Sequence, residues 1–284
     1  MIKGTHIEWL GMSIEVPEDW EITRHSVNRG RGKLIFIDRR HQRLQFAWTR
    51  CARRPAEKRI FDDFRARDKE EDPTCVISDI YHRGPWRLYR RKQGEASITR
   101  AGSYETRSKR WLDLVFSWPE GCDERVEEMV LKGCCSQKSD APVTRWCAFG
   151  IDMKTPSDWQ IHSTEALPGA TTFVFGGNGS SITVRRRAMA PFRHKGTIGD
   201  YLVKETGRKK DALVYQQDNG HEICQVQTRE SVFKPRWLRG KRKVTSDYAW
   251  ICDRKETIFH VTLDSYDKKP VECSKMKVEC CGRG

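Results

Sequence analysis

Gly11-Met-Ser-Ile-Glu-Val-Pro17-Glu-Asp-Trp20-Glu-Ile22 returns further along the chain as Gly150-Ile-Asp-Met-Lys-Thr-Pro156-Ser-Asp-Trp159-Gln-Ile161. In the first stretch Met12, Ile14 and Val16 alternate with Ser13 and Glu15, the two-residue period of a strand with one buried face. Pro17 has no N–H to offer a neighbouring strand and stops the pairing. Trp20 and Ile22 then resume the alternation. A strand, a Pro-x-x-Trp corner and a second strand therefore open two copies of one unit.

The parallel extends outward from this start. Leu34–Ile37, a polar turn at Asp38-Arg39-Arg40-His41, and Leu44, Phe46 and Trp48 read as a hairpin. Its counterpart is Thr172–Phe175, the turn Gly176-Gly-Asn-Gly179, then Ile182 and Val184. Ile60 and Phe64, like Ile198 and Leu202, are spaced four apart as on a short amphipathic helix, and Asp62 matches Asp200. Strands at Cys75–Tyr81 and Trp86–Arg91 flank Arg83-Gly84, and strands at Ala212–Gln217 and Glu222–Arg229 flank the hairpin dipeptide Asn219-Gly220. Trp111–Trp118 and Ile258–Ser265 are the last strands. A closing helix, clearest at Asp123–Gly133, precedes the vicinal cysteines Cys134-Cys135, which are matched by Cys280-Cys281.

This order predicts an α+β fold of two tandem repeats, each an antiparallel sheet with a short mid-repeat helix and a closing C-terminal helix. The boundaries fall at residues 1–135 for the first repeat, 136–144 for a linker containing Pro142, and 145–284 for the second. On Pro17, Trp20, Pro156, Trp159 and the element order, each copy resembles the PsbP-like family. That family includes the Ran-binding Mog proteins and a bacterial branch of effector chaperones. The resemblance implies a protein-binding role, and it brings no catalytic triad to carry over.

The net charge is +14, from 53 Lys and Arg against 39 Asp and Glu. No segment approaches the roughly 18 apolar residues of a membrane span, and the N-terminal residues lack the apolar stretch of a signal peptide. Eleven cysteines then read as reduced thiols rather than a disulfide framework. A cytoplasmic protein without a membrane span is expected.

The densest basic run is Arg236-Trp237-Leu-Arg239-Gly-Lys241-Arg242-Lys243, and Arg185-Arg186-Arg187 and Arg193-His194-Lys195 add to it. Cations that neutralise phosphates, beside a tryptophan that stacks on bases, would suit a nucleic acid or another polyanion. The candidate residues are Arg236, Trp237, Arg239, Lys241, Arg242, Lys243, Arg185 and Arg187. The competing reading of such clusters is a solvated surface.

No Cys-x-x-Cys occurs, and adjacent cysteines at a helix end point in different directions, so one of each pair is expected to pack inward and neither metal nor cofactor is implied. The glycines at 176–179 precede a strand rather than a helix, as a hairpin turn does and a phosphate-cradling loop does not. No nucleophile-and-base pair recurs in both copies. Pro17, Trp20, Pro156 and Trp159 are read as structural, each indole anchoring its sheet. The function expected is a non-catalytic cytoplasmic binding or adaptor protein presenting a protein-interaction surface, a chaperone-like role being one form of it. Binding of nucleic acid or polyanion around residues 229–243 is the alternative.

Overall fold

A computed structural model describes residues 2–28, 30–137, 142–167, 169–218, 220–229, 243–265 and 278–279. The chain divides into two compact units, Met1–Asp140 with Trp146–Phe149, and Ala141–Arg145 with Gly150–Gly284.

The first unit begins with the hairpin of β1 (Gly4–Trp9) and β2 (Met12–Pro17), joined by Leu10 and Gly11, both at positive φ. Two left-handed residues give a hairpin turn whose twist matches that of the strands. There follow β3 (Glu21–Asn28), β4 (Arg31–Ile37), β5 (Gln42–Arg50), helix α1 (Glu57–Glu71), β6 (Val76–Ile77), β7 (Tyr81–Arg83), β8 (Trp86–Gln93), β9 (Ala96–Glu105), β10 (Arg110–Trp118), helix α2 (Glu124–Gly133) and β11 (Cys135–Ser136). The main sheet runs β3-β4-β5-β10-β9-β8-β6, with β7 also paired to β8. On one face Leu44 and Phe46 of β5 oppose Phe116 and Leu114 of β10, all fully buried.

The second unit holds β13 (Ile151–Pro156), β14 (Gln160–Leu167), β15 (Ala170–Gly177), β16 (Ser180–Ala188), the one-turn helix α3 (Ala190–Arg193), helix α4 (Ile198–Thr206), β17 (Val214–Asp218), β18 (His221–Arg229), β19 (Val244–Cys252), β20 (Thr257–Ser265) and β21 (Val278–Glu279). Before β13, strand β12 (Val143–Ala148) carries residues of both units. The main sheet of the second unit runs β14-β15-β16-β20-β19-β18-β17, the same order as in the first.

The α+β expectation is corrected by these elements. Strand makes up 57% and helix 18% of the described residues, so the protein is mostly β. Two long strands escape a reading by apolar alternation. β9 lies between the strands expected at Trp86–Arg91 and Trp111–Trp118, and β19 follows the basic run. β9 is built of small and polar residues because its neighbours are large. An added Cβ at Gly102 would overlap the indole of Trp111 and come within 2.9 Å of Phe61. The closing helix expected in the second copy lies outside the described residues.

The opening corner is built alike in both units. The Trp20 N–H donates to the Pro17 carbonyl at 3.0 Å and Trp159 to Pro156 at 3.1 Å, and both indoles are buried. Just beyond each corner the edge strand bulges at the same place, between Ile22 and Arg24 in β3 and between Ile161 and Ser163 in β14. One extra residue bends the edge strand and tightens its twist.

The helices are fixed by their ends. In α4 the Thr197 hydroxyl accepts from the Asp200 N–H while the Asp200 carboxylate accepts from Thr197, and Gly207 closes the helix in the left-handed region. Such a capping box satisfies N–H groups that have no partner within the helix. In α2 Asp123 accepts from Arg125 and Val126. α1 stops at Asp72, which precedes Pro73 and is held extended, because the proline ring disfavours a helical predecessor. Under α2, fully buried Glu127 takes Arg83 at 3.1 Å and Arg90 at 3.4 Å. No helix of the described residues is long and apolar enough to cross a membrane.

Candidate functional site

Arg236, Trp237, Arg239, Lys241 and Arg242 lie outside the described residues. The other three proposed polyanion ligands are engaged within their own unit. Lys243 Nζ stands 3.3 Å from Asp264 Oδ2. Arg185 Nη1 donates to Thr262 Oγ1 at 3.0 Å, and that hydroxyl donates to Asp247 Oδ1 at 2.7 Å. Arg187 forms a two-pronged pair with Glu205 at 2.8 and 3.1 Å and lies over the Tyr201 ring. Arg185 and Arg187 share one face of β16, and both are held there by α4 or β20.

The most unusual surface lies at the end of the second unit's sheet where β16 stops. Three chain reversals meet there: the connection from β14 to β15, the exit from β16, and the turn from β19 to β20. Ala188 donates to the Gly169 carbonyl at 2.8 Å, and Ala190 donates to Glu256 at 2.7 Å. Three large apolar side chains stand in solvent at this end: Leu167 at 56%, Met189 at 52% and Phe192 at 75% exposure. Around them Arg193, Lys195, Arg254 and Lys255 are exposed, against the carboxylates of Asp253 and Glu256. Arg193 reaches back over the first reversal, its Nη2 3.2 Å from where a Cβ on Gly169 would sit.

The backbone that presents these residues is strained. Met189 sits at φ 61° and ψ 44°, a left-handed conformation that costs a side chain with a Cβ on the order of 1 kcal/mol. The first unit shows how the residue came to be there. Arg50 donates to Gly30 at 2.6 Å, and the very next residue, Cys51, donates to Lys109 at 2.8 Å. Lys109 and Glu256 occupy the same left-handed region, so the two sites superpose in backbone logic. Met189 is therefore one residue more than the first copy has, and it lifts the chain outward into α3. Strain of this kind persists where the surroundings dictate it, and it marks functional surfaces more often than passive loops.

Sequence reading found the charge of this region, Arg193-His194-Lys195, but not its apolar members. The available signal was Met189-Ala-Pro-Phe192, large apolar letters caught between two basic triplets.

Other clusters offer less. Among the described residues no group of three His, Cys, Asp or Glu is arranged to hold a metal ion. Cys134 is buried and Cys135 exposed, while Cys280, Cys281 and Cys273 lie outside the described residues. Burial, with Glu127 beside it, pushes the Cys122 thiol up to about 12, which leaves it an unreactive thiol. A cavity lined by Tyr81, Arg83, Arg90, Lys92 and Glu124 has its two arginines already committed to Glu124 and Glu127.

No family model matches the chain, and no curated protein is significantly similar to it.

Proposed function

We propose that the protein is a non-catalytic adaptor that docks an acidic, apolar segment of a partner protein on the sheet end built by Leu167, Met189 and Phe192. The observation that carries this reading is Phe192, an aromatic ring three-quarters exposed beside a strained Met189. Aromatic and methionine side chains are enriched at interfaces, the ring for the large area it buries and the methionine for its adaptable, polarisable fit. The exposed Arg193, Lys195, Arg254 and Lys255 favour a partner of opposite charge, as does the net charge of +14, and complementary charge speeds encounter and rejects basic competitors. The PsbP-like resemblance points to the same class of role. The polyanion alternative gains nothing from Arg185, Arg187 and Lys243, whose charges are answered by groups of their own unit.

The test is a fluorescence-anisotropy titration of the full chain with a short acidic peptide carrying leucine and phenylalanine. A basic peptide of equal apolar content, single-stranded DNA and phosphatidylserine vesicles serve as separate arms. The acidic peptide is expected to bind, and Phe192→Asp or the pair Arg193→Glu/Lys195→Glu to abolish binding with the melting temperature unchanged. Equal binding of both peptides, or binding that survives Phe192→Asp, overturns the assignment. Binding of DNA or vesicles alone would replace it with a polyanion or membrane-surface role.

A further inference from the structure

In the first unit α1 covers the sheet face opposite the row of Leu112, Leu114 and Phe116, and a cavity of about 340 Å³ remains between the helix and strands β5 and β10. Ile60, Phe64 and Trp111 supply apolar walls, while Asp63, Arg67 and Asp113 supply polar groups. Asp63 and Arg67 stand exposed at the rim. Asp113 lies deeper: its Oδ1 is shut off from solvent and accepts no hydrogen bond. Burial pushes the acid's pKa up, against the opposing pull of Arg100. That guanidinium is stacked over the Phe64 ring, 4.0 Å from its centroid. A buried acceptor left without a donor is costly and calls for an explanation.

The second unit shows the same place filled. Asp113 faces Gly102 across β10 and β9, as His260 faces Ala249 across β20 and β19. On the helices Ile60 and Phe64 correspond to Ile198 and Leu202, which sets Asp63 opposite Tyr201. Tyr201 and His260 are both buried, their rings edge-on at 5.9 Å, and His260 Nε2 meets Asp247 Oδ1 at 3.0 Å. Where the second copy has an aromatic ring and an imidazole, the first has two carboxylates and empty volume.

We propose that this cavity is a binding site for a small primary amine, its ammonium held by Asp113 and Asp63 and its apolar body against Phe64 and Trp111. An ammonium supplies the donors that Asp113 Oδ1 lacks. The site is independent of the docking surface on the second unit, and either assignment stands if the other fails.

Calorimetric titration of the full chain with 2-phenylethylamine tests it, with 2-phenylethanol as the uncharged counterpart and choline as a cation without N–H donors. The amine is expected to bind below about 10 mM, and the alcohol and choline at least about tenfold more weakly. Asp113→Asn should weaken the amine by a similar factor. Asp63→Tyr, at an exposed helix position, copies the second unit's filling residue and should abolish binding while the fold is kept, a control if Asp113→Asn proves unstable. Absence of amine binding, equal binding of the alcohol, or binding unaffected by Asp63→Tyr would overturn the proposal.

Discussion

His260 Nε2 lies 3.0 Å from Asp247 Oδ1, a cross-strand pair closed off from water beneath α4. Desolvation pushes the Asp247 pKa up, but hydrogen bonds from His260 and Thr262 and the charges of His260 and Arg185 outweigh it, and the pKa ends below the usual carboxylate range. A carboxylate whose pKa is lowered on folding stabilises the protein above its unfolded pKa, near 4, and that contribution disappears as pH falls through the folded value. The urea midpoint should therefore fall as pH drops from about 5 towards 2. Asp247→Ala should cost about 3 kcal/mol at neutral pH, because it strips a buried network of its charge. The slope of its midpoint against pH should be shallower than in the parent.

Asp38, half-buried in a hairpin turn, supplies a comparison. Against a desolvation cost, the Arg40 and His41 N–H groups and the Arg43 guanidinium hold its pKa at about 2. Its stabilising effect is likewise present above pH 4 and lost below. Asp38→Asn should loosen the β4–β5 turn, seen as faster amide exchange at Arg40 and His41, with a small change in global stability.

Trp20 and Trp159 carry equivalent corners, so each alanine substitution should cost roughly 3–5 kcal/mol. Thermal melting monitored by near-ultraviolet circular dichroism checks the size. Domain-resolved hydrogen exchange should show loss of protection confined to the unit that bears the substitution.

Gly102 is a position where added size is poorly tolerated. Gly102→Ala places a methyl group into Trp111 and Phe61, and overpacking of this kind costs about 1–3 kcal/mol. A melting temperature equal to the parent's would mean that α1 yields easily, and the cavity below it with it.

Met189→Gly should do the opposite of most substitutions at a binding surface. Glycine adopts the left-handed backbone without penalty, so stability should rise by up to about 1 kcal/mol. Partner binding should weaken, since the exposed side chain is gone.

Much of the fold is legible where apolar residues alternate, as in residues 12–16, or cluster, as in residues 34–37 and 111–118. It is not legible in β9 and β19. In β9 the residue at 102 must be small because Trp111 and Phe61 press on it, so its meaning depends on partners distant in sequence. The surface was harder still. Basic triplets declare themselves as letters, but Phe192 reads as a core residue until its exposure is known. The left-handed turn at Met189 arises from a one-residue difference between copies that only the hydrogen-bond pattern reveals. The contrast of Asp63 with Tyr201 needed the helix register in both units.

The bulges at Ile22/Arg24 and Ile161/Ser163 sit at the same step of the same edge strand. Because the backbone kept its phase after duplication, strands and helices can be traded between the copies without shifting which side chains face inward. Lineages that duplicate such a unit hold a ready-made workbench for recombination: one copy can gain a pocket or a protruding turn while its twin preserves the template.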